Sequence, residues 1–152
     1  MHVRDQIVGA VISSLRTAIS EAGSRVYPHG AVTWDRRSYP MLVVTAAKTR
    51  IDIEPGTGDR IQARETEIVV EIHDLETQGD DYAERVGSLS IQVEKILADL
   101  PDAVPVSSVE MLSDTGVVEI DEDERGIHAG SALTFGVIYH TRVGDASKLV
   151  IP

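Results

Sequence analysis

Near the start of the chain, apolar residues recur at steps of three and four. Ile7, Val11, Leu15, Ala18 and Ala22 form the stripe, with Ile12 and Ile19 widening it. That period predicts an amphipathic helix over residues 3–22, stopped by Gly23. Residues 25–40 show no period and are punctuated by Pro28, Gly30 and Pro40, so they read as a connecting loop anchored by Tyr27, Trp34 and Tyr39. An apolar run over 41–47 follows a proline and suits a strand, and the chain stays extended through Ile51 and Ile53. Glu54, Pro55, Gly56, Thr57, Gly58 and Asp59 then form a turn. From 61 to 75 the pattern is a strand, with Ile68, Val70 and Ile72 on one face and Glu67, Val69, Glu71 and His73 on the other. The two extended segments make a long hairpin whose tip reaches beyond the packed body.

The clearest element comes next. Tyr82, Val86, Leu89, Val93, Ile96 and Leu100 mark one face of a second helix. Asp81 and Glu84 have the form of a capping box, and Pro101 and Pro105 end the helix. Residues 106–112 read as a short strand, 113–116 as a turn, 117–120 as another extended piece and 132–141 as a last strand. Leu133, Phe135, Val137 and Tyr139 point inward along that last strand. The order is helix, hairpin, helix, then two or three strands. It predicts one α+β domain over 1–141, a mostly antiparallel sheet with two amphipathic helices packed on it, followed by an arm over 142–152.

Composition narrows the function more than the fold. The 152 residues hold no cysteine, which removes disulfides, thiolate metal sites and cysteine nucleophiles. Fourteen basic against 25 acidic residues leave a net charge of −11, too few cations to clamp nucleic acid. No run approaches the ~18 apolar residues of a membrane span, so a soluble, cytoplasmically made protein is expected. His2, His29, His73, His128 and His140 are scattered and read as isolated surface or half-buried side chains. The run Asp121, Glu122, Asp123 and Glu124 resembles the start of a calcium loop. However, Arg125 falls at a ligand position, and Ala132 stands where the bidentate Glu is needed. No P-loop or nucleophile elbow is present. The expectation is therefore a protein with no cofactor, no metal and no catalytic residues.

Taken in order, the segments resemble the tail terminator proteins (tail completion, minor tail protein U-like) of long-tailed bacteriophages. The likeness is carried by the opening helix with Arg4-Asp5-Gln6-Ile7, by Arg25-Val26-Tyr27-Pro28, and by Tyr39-Pro40-Met41-Leu42-Val43-Val44. It continues through Glu67-Ile68-Val69-Val70-Glu71-Ile72, the second helix to Leu97, and Leu133-Thr134-Phe135-Gly136-Val137-Ile138-Tyr139. The resemblance implies a homohexameric ring at the neck of the virion, assembled in the host cytoplasm. Such a ring caps the tail tube, ends its growth and offers a docking face to the head–tail connector. The hairpin tip, Glu54 to Asp59, would then contact the tube. Glu67, Glu71 and the run Asp121 to Glu124 would line a channel through which DNA passes without specific binding. Two other readings compete: another neck or tube protein of the same fold, or a free acidic regulator that imitates DNA.

Overall fold

The computed structural model describes residues 1–19, 22, 25–31, 39–53, 60–76, 82–123 and 126–151; at 53, 76 and 121–123 only the backbone is described. The architecture is the expected α+β arrangement: a mostly antiparallel sheet of six strands with helices packed on one face.

Helix α1 spans Val3–Ala18, capped by the His2 side chain, which accepts from the Arg4 backbone N–H at 3.0 Å. Ile7, Val11 and Leu15 are buried as the period requires. The helix is one turn shorter than its apolar stripe. Ile19 leaves helical geometry for an extended one, yet Ile19 and Ala22 stay fully buried. The stripe thus records burial past the point where the backbone turns toward the sheet. Arg16 secures that turn by donating to the Val26 carbonyl at 2.6 and 3.1 Å.

Val26–Pro28 is a short strand, β1, parallel to the next one, where the sequence reads as loop. Three residues carry no detectable alternation, and a proline is tolerated because β1 is an edge. Strand β2, Met41–Ile53, and strand β3, Ile61–Glu76, form the expected hairpin. The tip, Glu54 to Asp59, lies outside the described residues.

Helix α2 spans Tyr82–Ala98 and buries Val86, Leu89, Val93 and Leu97; its expected cap Asp81 also lies outside the described residues. Pro101 opens a single further turn, α3, Leu100–Ala103. Strands β4 (Ser108–Asp114) and β5 (Val118–Asp123) follow, each a little later than the sequence indicates. The last strand, β6, is Gly126–Arg142, six residues longer at its start than the apolar pattern shows. Gly126, His128, Gly130 and Ser131 hide that extension, because Ile127 and the small Ala129 are too few apolar side chains to show a strand.

The strand order is β1-β2-β3-β6-β4, and β5 also pairs with β6. β4 and β5 lie end to end along the same side of β6. The first pairs with residues 133–138 and the second with 126–130. Both helices cover one face. There Leu42, Val44, Ile68, Val70, Ile72, Leu133, Phe135 and Val137 join the buried stripes of α1 and α2 in one core. Each such side chain contributes roughly 1.5–3 kcal/mol through removal from water. Polar side chains that enter this face are paired there. Thr66 bridges Thr49 at 2.9 Å and the Tyr139 hydroxyl at 3.0 Å. Buried Asp74 accepts from Arg85 on α2 at 2.7 Å and from the Leu75 N–H at 2.8 Å. The segment after β6 folds back on the body: the Val3 N–H donates to the Ala146 carbonyl and the Val150 N–H to that of His140.

Candidate assembly surfaces

The helix-free face of the sheet is where the candidate residues gather. Alternation sends Glu65, Glu67, Val69 and Glu71 of β3 to that face, because Thr66, Ile68, Val70 and Ile72 occupy the core face. In register, Glu67 lies opposite Gly136 and Glu71 opposite Ala132. The two carboxylates therefore share a face, about 13 Å apart along the strand. Asp121 and Asp123 lie opposite His128 and Gly126, with Glu122 opposite Ile127. They are on the sheet's outer strand rather than beside Glu67, and Glu124 lies outside the described residues.

A feature absent from the sequence reading borders this face. β4 and β5 each carry a bulge, between Met111 and Ser113 and between Glu119 and Asp121. The extra residues are Leu112 and Ile120, and each lies over a glycine of β6. A side chain at Gly136 would press on Leu112 Cδ1, and one at Gly130 would meet Ile120 Cδ1. The result is an apolar rim that water still reaches: Leu112 is 45% exposed, Val118 46% and Ile120 52%. Between the rim and the sheet runs a shallow groove of about 200 Å³ lined by Glu71, His73, Val118, Ile120, Gly130 and Ala132. The sequence reads 117–120 only as another extended piece, since a bulge cannot be seen in alternation. The available signal was Val117, Val118 and Ile120 standing among carboxylates, with nothing in the sequence to cover them.

The histidines correct the sequence reading in one place. His73 and His128, 55 positions apart, meet with Nδ1 and Nε2 3.0 Å from each other, because β3 and β6 pair along their whole length. Tyr39 packs edge-on against His128 at 5.6 Å between ring centres. Burial, and then the neighbouring His128, lowers the His73 pKa from 6.5 to about 4. His73 is thereby favoured neutral, and in its hydrogen bond with His128 one ring nitrogen donates and the other accepts. Glu71 Oε1 lies 3.9 Å from His73 Nε2. Among the described residues no group of three His, Asp or Glu side chains gathers as metal ligands. A second open groove of about 360 Å³ lies between α1 and the β1–β2 edge, lined by Arg4, Asp5, His29 and Thr45 among others. No described helix is long and apolar enough to cross a membrane.

The class these observations define is an α+β domain with one sheet, helices on one face and, among the described residues, a helix-free opposite face that carries carboxylates. No protein-family model matches the chain, and no curated protein matches it. Among solved structures it is similar to a chain in the "Virion of native gene transfer agent (GTA) particle", with a TM-score of 0.61 and 15% sequence identity. The match covers 88% of this chain and 94% of that one, so the fold is shared over most of both chains.

Proposed function

We propose that this chain is a structural protein of a phage-like virion and, within it, the tail terminator. Six copies form a ring that caps the tail tube, ends its polymerisation and presents a docking face to the head–tail connector. The observation that carries the reading is the shared fold: almost the whole of each chain superposes, and the neighbour comes from a virion. The terminator role rests further on the order of segments in the sequence. The work is read as assembly rather than catalysis: apart from Glu71 and His73 beside one shallow groove, the described carboxylates of the helix-free face are spread along the strands. The tip Glu54 to Asp59 contacts the tube, and DNA traverses the ring without specific binding.

The test is to add the purified protein to polymerising tail-tube protein and to examine the products by electron microscopy and native mass spectrometry. Tubes that stop growing and carry a six-fold cap are expected, and shortening residues 54–59 should leave the protein folded but unable to cap. Tubes of unaltered length would refute the terminator role. A protein built into the tube wall would indicate another neck or tube component. A monomer or dimer absent from particles would favour the free acidic regulator instead.

A further inference from the structure

The two edges of the sheet differ in charge. One edge is β2 beyond Val44, where β1 has ended; among the described residues no strand pairs with this side over 45–53. It carries Lys48 and Arg50, both exposed, against the single carboxylate of Asp52, and Ile51 beside them is 48% exposed. The other edge is the end-to-end pair β4 and β5. From 108 to 123 it contains Glu110, Asp114, Glu119, Asp121, Glu122 and Asp123 and not one Lys or Arg. On this second edge stands the apolar rim of Leu112, Val118 and Ile120.

We infer that these edges are the two halves of one interface: the acidic β4–β5 edge of each copy docks on the Lys48–Arg50–Ile51 edge of a second copy of this chain. Three observations favour a second copy over other occupants. The signs are complementary within a single chain. Each edge has an exposed apolar residue inside its charged border, the pattern of a contact with a dry centre and a polar rim. The edges lie on opposite sides of the same sheet, so the contact is heterologous and leaves one free half at each end, the geometry that either closes into a ring or extends as a filament. Bare edges pair indiscriminately, and bulges are one way to prevent it. Here β2, β4 and β5 are all bulged, at 46–49, 111–113 and 119–121. A long backbone ladder between copies is therefore interrupted, and side-chain charge decides which edges meet. The acidic edge runs alongside residues 126–138 of β6, about 40 Å, and the receiving edge over 45–53 is about 26 Å long, lengths that suit the ~800 Å² per partner of a stable interface.

The inference rests on the ring reading only for closure at six. Its test uses exposed positions: Lys48→Glu with Arg50→Glu on one edge, and Glu110→Lys with Glu119→Lys on the other. Oligomeric state is read by native mass spectrometry and sedimentation, in concentrated protein and in tube-capping mixtures, with circular dichroism confirming the fold. Each double variant should need on the order of a hundredfold more protein to associate, because like charges then face each other. An equimolar mixture of the two should regain assembly as alternating copies, since one contact then joins the two parent edges and the next joins the two reversed ones. The variant carrying all four reversals should recover the parent assembly. Association of either double variant at the parent concentration would overturn the inference while leaving the ring standing. Charge-sensitive chains or pairs that never close would uphold the inference and remove the hexamer. Complete absence of self-association would remove both.

Discussion

At Gly130 the backbone of β3 comes close to β6, and an added Cβ would overlap the Ile72 carbonyl oxygen. A backbone oxygen in a paired strand cannot swing aside as a side-chain end can. Gly130→Ala should therefore cost on the order of 3 kcal/mol, read as a lower urea midpoint at unchanged slope. Gly87 is the contrasting case. It sits inside α2, and a Cβ added there would meet nothing within 4 Å, so Gly87→Ala should stabilise by about 0.5–1 kcal/mol. A loss at Gly87 would mean that its face of α2 is packed against something. His73 supplies a pH dependence. Its folded pKa of about 4 lies below the ordinary 6.5, so the unfolded chain takes up the proton first. The contribution of the neutral imidazole is complete above about pH 6.5 and is lost as pH falls through 4. Stability at pH 5 should be about 2 kcal/mol below that at pH 7, and His73→Gln should remove most of that difference. A parent protein equally stable at both values would show that the ring is solvated.

At the level of elements, α2 shows how much of the fold the sequence displays. Its stripe needed no tertiary information: six apolar residues in a 3.6 period placed it. Of these, Val86, Leu89 and Val93 are buried in α2, Tyr82 and Ile96 are half-buried, and Leu100 is buried in α3, while Leu97 is buried beside Ile96. Leu89 lies mid-stripe at 2% exposure, so Leu89→Ala should cost roughly 2–5 kcal/mol; a neutral result would place the stripe outside the core. The β2–β3 hairpin was legible for the same reason, in period two. What escaped was whatever depends on pairing rather than period. β1 is too short to alternate, and the first six residues of β6 are mostly small, so their strand character comes from β3 and β5 on either side. The bulges at Leu112 and Ile120 also escaped, and with them the apolar rim. Of the candidate carboxylates, Glu67 and Glu71 were placed on a common outer face by alternation alone. The meeting of His73 with His128 required the register.

For the whole molecule, charge is the distinguishing property. Under the proposed ring, the face bearing Glu65, Glu67 and Glu71 turns inward, away from the helices. A channel lined this way repels the phosphates of DNA and lets the duplex slide, where cations would hold it by counterion release. Glu67→Lys with Glu71→Lys should leave rings intact and slow DNA ejection at low salt, with the effect fading as salt rises. Unchanged ejection from intact rings would put that face elsewhere in the particle.

Strand β6 pairs with β3 along one side and with β4 and β5 along the other, and it is made after all of them. The ribosome must therefore deliver residue 142 before the sheet has its central member, and a few more before Ala146 can meet the first turn of α1. Until then β4 and β5 have no strand to lie against, and the acidic edge does not exist. A nascent chain can offer its β2–β3 hairpin but has nothing to present on the opposite side. Under the proposed edge-to-edge contact, a copy whose β6 has not yet been made has no acidic edge to offer, so it cannot link to a neighbour through that side.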